Sequence, residues 1–272
     1  MEKREIHSVL TDFLNERLMQ VTASGQAAKN DFLKAKIRPV LTKGVLHFQA
    51  EEFIGKQAFH KNLTAEEAVD YLKLRESEDF TVTEQEDLKD YLYDGEALRR
   101  LSGKKLHKKK NHLNAFLKEY EGRYEYRRLC CSDRGDVWTF LDKWREQKGD
   151  DVEDHLDYEV AGIHEILKNC SFLNVRMSGV YIDGQLEAFT IGSYNPLEDM
   201  AIIHIEKANP EIRGLYQFIN QQFLIHEFPD VKLVNREDDL GQEGLRRAKM
   251  SYNPCGFARK YLIEQKNFVP ED

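Results

Sequence analysis

The segment 234–261 holds the densest set of side chains in this chain that could do chemistry. It starts in an apolar run that predicts a strand, passes an acidic turn and continues into a short helix predicted over 241–250. Arg246 and Lys249 share one face of that helix, and Tyr252 follows within a turn. A guanidinium and an ammonium together can hold a phosphate or stabilise an oxyanion, and a tyrosine can protonate a leaving group. The alternative is that Lys249 is solvated and Tyr252 fills the core.

A second candidate position lies at the end of a strand predicted over 200–207. Glu206 and Lys207 are adjacent there, and successive strand residues point to opposite faces, so only one of them can enter a cleft. A carboxylate in a closed pocket can act as a base on an attacking amine or hydroxyl, which makes Glu206 a candidate catalytic base. His204 shares its face and could relay a proton. The alternatives are an ion pair or a solvated rim for Glu206, and a hydrogen-bonded core position for His204.

Basic residues are concentrated in one stretch of an otherwise acidic chain. The net charge of −8 excludes a generally basic nucleic-acid-binding protein, yet seven residues between 99 and 112 are Lys or Arg and none is acidic. This stretch lies on a helix predicted over 97–120. The candidates for contacts with phosphates are Lys104, Lys105, Lys108 and Lys109. The alternative is an ordinary solvated helix face.

Length and composition limit the class of protein. The chain has 272 residues, of which 41% are hydrophobic and 11% aromatic, enough for a packed core. No apolar run approaches the roughly 20 residues that a membrane-spanning helix needs, and no signal-type stretch follows the start, so we expect a cytoplasmic location. The four cysteines include no Cys-x-x-Cys motif. This predicts buried reduced thiols, with neither a disulfide framework nor a metal site.

Three segments are predicted along the chain. Residues 1–75 form a small α/β segment that starts with an amphipathic helix at 2–19, and an acidic linker follows at 76–90. Residues 91–272 form the main domain, in which Asp-Gly between two alternating runs is a strong hairpin signal. Its predicted strands are 123–129, 175–182, 185–193, 200–207, 231–235 and 257–264, and its predicted helices are 97–120, 134–147, 151–169, 212–227 and 241–250. This order predicts an α/β fold with a mixed sheet and helices on its faces.

Several of these blocks, in this order, resemble a known family. They are residues 102–112, Trp138, Trp144, residues 204–208, residues 214–217 and residues 234–261. Together they are similar to bacterial proteins related to the C-terminal domain of phosphatidylglycerol lysyltransferase. The resemblance implies an acetyltransferase-like (GNAT-type) fold. Residues 36–41 and 59–63 more weakly resemble the leader segment of bacterial SAM-dependent methyltransferases, but no glycine-rich strand-to-helix turn for a SAM site is present.

The resemblance also implies a donor and a reaction. In acetyltransferase folds the helix start near Arg213 and Gly214 can hold the pyrophosphate of acyl-coenzyme A, whereas related transferases take an aminoacyl-tRNA ester. One glycine stands here where two or three are expected, so a plain helix start is the alternative. The leading hypothesis is an acyl- or aminoacyltransferase acting on a soluble acceptor. The alternative is a non-catalytic protein with a degenerate transferase domain that binds RNA or another polyanion.

Overall fold

The structure is a computed structural model. It describes residues 33–42, 45–54, 57–62, 69–70, 74–76, 78, 80–148, 154–170, 172–196 and 198–266. The helix predicted at 2–19 lies outside these residues. The chain divides into two compact units, one comprising Met1–Lys89 with Ala258–Asp272 and the other Asp90–Phe257. The division predicted from the sequence at residues 75 and 90 stays a prediction.

The first unit contains two small antiparallel sheets. One is formed by β1 (Leu33–Thr42), β2 (Val45–Ile54) and β3 (Gln57–Asn62), in that order. The other pairs β4 (Phe80–Glu84) with β12 (Tyr261–Gln265). Strands were predicted from the sequence at 36–41 and 45–53, and β1 and β2 confirm them.

The second unit is built on a mostly antiparallel sheet, which has seven strands within the described residues. Its strands are β5 (Asp90–Asp94), β6 (Tyr124–Arg128), β7 (Val175–Ile182), β8 (Gln185–Asn195), β9 (Met200–Ala208), β10 (Leu233–Asn235) and β11 (Gly256–Ala258). Its helices are α1 (Gly95–Arg100), α2 (His107–Glu119), α3 (Arg134–Lys148), α4 (Asp154–Asn169), α5 (Leu215–Glu227) and α6 (Glu243–Met250). The strand order is β11-β5-β10-β9-β8-β7-β6, and the β9–β10 pair is parallel. The predicted mixed α/β fold is confirmed.

Helices pack on both faces of this sheet. The successive β7 residues Tyr181 and Ile182 belong to different buried clusters, and because successive strand residues point to opposite faces, the clusters lie on opposite sides. One cluster includes side chains of α1, α2 and α5, and the other includes side chains of α3 and α4. Phe116 of α2 is fully buried, and its ring lies 4.7 Å from that of Phe218 of α5. Burial of one such phenylalanine contributes roughly 1.5–3 kcal/mol.

Backbone geometry corrects one local prediction and confirms another. The helix predicted over 97–120 is two helices, because Leu101 adopts φ 46° and Gly103 φ 89°, and left-handed residues end a helix. Lys104 and Lys105 therefore lie in the turn before α2 and not on a helix. The hairpin predicted between β7 and β8 is present, with positive φ at Asp183 and Gly184.

The cysteine prediction is wrong. Cys131 and Cys170 form a disulfide with Cα atoms 6.2 Å apart, and the free cysteines among the described residues, Cys130 and Cys255, are exposed. Spacing along the chain does not show that two cysteines 39 residues apart meet in space.

The central feature of the sheet is the separation of β9 from β10. The two strands pair only from Met200 with Leu233 to Ile202 with Asn235. After Asn235 the chain no longer pairs with β9, although Arg236 and Glu237 still bond to Tyr91 of β5, while β9 continues to Ala208 beside β8. An opening therefore forms beyond the last paired residues, lined by the rest of β9 on one side and by the turn after β10 on the other.

Candidate active site

A cavity of about 950 Å³ occupies this opening. The far part of β9, the turn after β10, α6, single residues of α2, α3 and α4, and two residues of α5 contribute to its walls. The polar and aromatic residues among its lining are Lys109, Trp144, Glu159, His204, Glu206, Lys207, Tyr216, Gln217, Arg236, Glu237, Asp238, Gln242, Lys249 and Tyr252. Three residues that the sequence singled out as catalytic candidates, Glu206, Lys249 and Tyr252, thus line one cavity.

A buried ion pair joins the two diverging strands. Nη2 of Arg236 lies 2.7 Å from Oε1 of Glu206, and the exposed fractions of these side chains are 13% and 8%. Nδ2 of Asn220, on α5, donates to the other Glu206 oxygen at 2.6 Å. Both carboxylate oxygens therefore accept a hydrogen bond, and Glu206 holds Arg236 in place. Nη1 of Arg236 is buried and has no hydrogen-bond partner within the described part of the chain.

Tyr252 lies between two cations. The guanidinium carbon of Arg236 is 4.8 Å from the centre of its ring, and Nζ of Lys109 is 4.1 Å from it. Nε2 of Gln217 donates to the Tyr252 hydroxyl at 3.2 Å, so the hydroxyl's own proton can be given to another group. Burial raises the pKa of Tyr252, although Arg236 opposes this, and the phenol stays protonated at neutral pH.

Lys249 supports the turn that carries Arg236. Its Nζ donates to the carbonyl oxygens of Arg236 at 2.6 Å and Glu237 at 3.2 Å, and also to that of Asp238. An ammonium has three N–H donors, and three carbonyls take them. Burial, and after it the charge of Arg236, lowers the pKa of Lys249 to about 8. This geometry suits a residue that positions the turn.

The opposite wall of the cavity contains a second ion pair. Nζ of Lys207 lies 2.7 Å from Oε2 of Glu159 on α4 and 4.1 Å from the ring centre of Trp144 on α3. Lys207 is nearly buried, with a side chain that is 9% exposed. Adjacent residues of β9, Glu206 and Lys207, thus contact opposite layers of helices, as the alternation of strand side chains predicts. Both nevertheless line the cavity, so the expectation that only one of them enters a cleft is wrong.

Arg246 is not among the residues that line the cavity. Its Nε and Nη2 donate to the Asp239 carboxylate at 2.8 and 3.2 Å, and the Tyr91 hydroxyl donates to the same carboxylate at 2.5 Å. Hydrogen bonds from Arg246 and then from Tyr91 outweigh burial and lower the pKa of Asp239 to about 2. In this position Arg246 connects α6 to β5. The guanidinium in the cavity belongs to Arg236 instead.

The start of α5 is packed closely against α2 at Gly214. Gly214 has φ 88°, and a Cβ added to it would lie 2.1 Å from the carbonyl oxygen of His112 in α2. Glycine is therefore needed here for close packing of two helices. The first helical N–H, that of Leu215, donates to the carbonyl of Ile212 at 3.3 Å. The phosphate-binding role predicted for Arg213 and Gly214 stays a prediction.

The predicted basic residues form a surface next to the cavity. Lys104, Lys105 and Lys108 are exposed, whereas Lys109 is half-buried and lines the cavity. Arg213 lies close enough to His112 that its charge, after burial, lowers the pKa of that histidine. Arg213 thus adds a cation beside α2.

Sequence patterns missed several members of the site. Arg236 directly follows the last residue of a short buried strand, and this position at a strand end is the sequence feature that could have indicated it as a site residue. Gln217 and Asn220 are three residues apart on α5, and their role depends on contacts with Tyr252 and Glu206 that no spacing reveals. Lys207, treated in the sequence only as the neighbour of Glu206, belongs to the opposite wall.

No group of three or more His, Cys, Asp or Glu side chains among the described residues could hold a metal ion. No helix there is both long and apolar enough to cross a bilayer.

The mixed sheet with helices on both faces and strands that separate at its centre is a GNAT-like fold. The chain belongs to the family of the phosphatidylglycerol lysyltransferase C-terminal domain, which matches residues 50–264. An uncharacterized protein of Mycoplasmoides gallisepticum is 31% identical over 177 residues, which are 64% of this chain. This chain spans about half of that relative, 55% of its length.

Solved structures agree with this assignment. A conserved protein of unknown function from Bacteroides thetaiotaomicron is 25% identical, with a TM-score of 0.69 and coverage of 85% of this chain and 86% of that one. The C-terminal domain of a proposed lysylphosphatidylglycerol synthetase from Agrobacterium fabrum is 12% identical, with a TM-score of 0.50 and coverage of 84% and 83%. The second likeness shows the fold alone.

Proposed function

We propose that this protein is an aminoacyltransferase that moves the acyl group of an aminoacyl-tRNA ester to an amine or hydroxyl of a soluble acceptor. One observation carries the proposal. Arg236 and Tyr252, a cation with an unpartnered N–H and a phenol with an available proton, lie side by side in a cavity at the separated strands. Family membership supports the acyl-transfer class.

The proposed roles follow from the contacts. The acceptor nucleophile attacks the ester carbonyl carbon, and the developing oxyanion is stabilised by the positive charge of the Arg236 guanidinium. The bond to the tRNA oxygen then breaks, and that oxygen takes the proton of Tyr252. The acceptor's own proton returns to the phenolate through solvent. Glu206 and Lys249 position Arg236, and Lys109 keeps a positive charge against the Tyr252 ring.

The choice of donor rests on two features. The α5 start has one glycine, Gly214, which packs against α2, and this favours a donor other than coenzyme A. The exposed lysines Lys104, Lys105 and Lys108 lie beside the cavity residue Lys109 and would contact the phosphates of a polynucleotide donor.

The test is donor consumption by the purified chain. Aminoacyl-tRNA with a labelled amino acid is incubated with a small peptide amine, with a polyol, or with phosphatidylglycerol vesicles, and ester loss and product are measured. We expect transfer to a soluble acceptor, with Tyr252→Phe slower by about 10²–10⁴-fold. Tyr194→Phe is the matched control, because Tyr194 bonds to Asp199 and does not line the cavity. No transfer with any acceptor by folded protein would contradict the proposal, and transfer to vesicles alone would contradict the soluble acceptor.

The second candidate is a non-catalytic polyanion-binding protein. The exposed lysines before and within α2, with Arg213 beside them, favour it. Tight, salt-dependent tRNA binding without ester loss would support this function over transfer.

A further inference from the structure

A hydrogen-bonded chain of Ser193, His204 and Glu237 lies beside the transfer residues and takes no part in their chemistry. Oγ of Ser193 on β8 is 2.8 Å from Nε2 of His204 on β9. Nδ1 of the same histidine is 2.7 Å from Oε1 of Glu237 in the turn after β10. A hydroxyl bonded to an imidazole, with a carboxylate on the other ring nitrogen, is the arrangement of a serine nucleophile, its base and the group that orients the base.

Two irregularities of the backbone direct the side chains of His204 and Glu237 toward each other. Ile191 is opposite Ile205 and Gly192 is opposite Ile203, so His204 is an extra residue in a β-bulge. A bulge changes the direction of a side chain, and bulges are frequent next to active sites.

Glu237 is held in the left-handed region at φ 57°, which costs a non-glycine residue energy. Its N–H donates to Oδ1 of Asn235 at 2.7 Å. Its carbonyl accepts from the Tyr91 N–H at 3.1 Å and from Lys249 at 3.2 Å. The surroundings therefore fix an unfavourable conformation that points the carboxylate at His204.

The proton positions follow from donor and acceptor capacity. An ionised carboxylate only accepts, so Nδ1 carries the ring proton and donates it to Glu237. Nε2 is then an acceptor for the hydroxyl proton of Ser193. Ser193 is half-buried, and the side chains of His204 and Glu237 are 31% and 42% exposed, so a small ester can reach the group.

We propose that Ser193, His204 and Glu237 form a nucleophilic site that accepts acyl groups from activated carboxylic esters and releases them to water. Oγ of Ser193 forms a bond to the carbonyl carbon while its proton moves to Nε2 of His204. The bond to the alcohol then breaks, and that alkoxide takes the proton, which leaves an acyl-serine. Water repeats the sequence, releasing the carboxylic acid and restoring the serine hydroxyl. This activity is independent of the proposed transfer reaction.

The experiment uses two probes on the purified chain, p-nitrophenyl acetate and a fluorophosphonate. We expect p-nitrophenol release together with a single phosphonate adduct that peptide mapping places on Ser193. Ser193→Ala should abolish the adduct, and Glu237→Gln should slow ester hydrolysis on the order of 100-fold or more. Ser251→Ala is the matched control, since Ser251 is exposed and its hydroxyl donates to the Ala248 carbonyl.

Three results would overturn the proposal. They are absence of any adduct on folded wild-type protein, an adduct on a residue other than Ser193, and unchanged ester hydrolysis in Ser193→Ala. Labelling of wild-type protein decides the question even if a variant does not fold. Aminoacyl transfer measured in parallel separates the two activities. Tyr252→Phe should lose transfer and keep the phosphonate adduct. Ser193→Ala should keep transfer and lose the adduct.

Discussion

Glu206 and Arg236 form an ion pair of 2.7 Å across the opening between β9 and β10, although 30 residues separate them in the sequence. Each side chain is almost removed from solvent, so each charge relies on the other for compensation. The pair therefore controls the stability of the cavity as well as the position of the guanidinium that the proposed reaction uses.

Replacing Arg236 alone should lower the free energy of unfolding more than replacing Arg236 and Glu206 together. Arg236→Met leaves the Glu206 carboxylate buried with only Asn220 as a partner, so we expect a loss of about 3–5 kcal/mol in the free energy of unfolding. The double variant Glu206→Gln/Arg236→Met removes both charges and should recover a clear part of this loss. Urea denaturation of the four proteins gives the coupling energy. Losses that simply add would show that the pair is not energetically coupled.

Lys249 should make stability rise in alkaline solution. Its folded pKa is about 8, below the ordinary 10.5, so the unfolded chain binds the proton more tightly between these values. The free energy of unfolding therefore rises with pH between these two values. The gain is complete above about pH 10.5 and is lost as the pH falls through 8. Wild-type protein should therefore gain about 3 kcal/mol relative to Lys249→Met between pH 8 and 10.5. Denaturation of both proteins over that range measures the difference, and a constant difference would contradict it.

Asp239 should contribute stability that is lost in acid. Arg246 and Tyr91 lower its folded pKa to about 2 from an unfolded value of 3.8. The contribution is therefore complete above about pH 4 and disappears as the pH falls toward 2. Asp239→Asn should cost about 2 kcal/mol at neutral pH and progressively less near pH 2–3.

Asp183 provides the comparison for that substitution. It pairs with Arg123 in an exposed hairpin, where ion pairs contribute little, so Asp183→Asn should change the unfolding free energy less. Arg246→Met should resemble Asp239→Asn in stability and leave the affinity for the donor unchanged. A weakened donor affinity in a fully stable Arg246→Met protein would restore the binding role predicted from the sequence.

The lysines before and within α2 should set the salt dependence of tRNA binding. Each phosphate contact contributes about 0.7–0.9 to the slope of log affinity against log salt. Changing Lys104, Lys105 and Lys108 to Gln should reduce that slope by about 2. The control changes the same number of exposed lysines elsewhere, Lys143, Lys168 and Lys232. Equal slopes for the two triple variants would indicate that only the overall charge of the chain matters.

Much of the fold could be predicted from the sequence, because local patterns determine its elements. Alternating runs around Asp183 and Gly184 indicate the central hairpin, and the apolar periodicity of 212–227 indicates α5, which begins at Leu215. The break in the 97–120 helix was missed because it depends on a left-handed Leu101, a conformation that leucine rarely adopts.

The site was predictable only in part. Glu206, Lys249 and Tyr252 were found because charged and aromatic residues flank predicted elements, and all three line the cavity. Their roles were not predictable, since the partners of Lys249 are backbone carbonyls and the hydroxyl of Tyr252 depends on Gln217. The hydrogen-bonded chain of Ser193, His204 and Glu237 depends on a β-bulge, and the position of that bulge depends on the register between β8 and β9.

The consecutive placement of Glu206 and Lys207 makes the cavity unusually sensitive to strand alignment. Side chains alternate along β9, so sliding the strand by a single position would turn the ammonium toward Arg236 and Asn220 and the carboxylate toward Trp144. Two like charges would then face each other on one wall, and an anion would replace the cation above the indole ring on the other. Correct pairing of β8 with β9 is thus a condition for the chemistry of both walls.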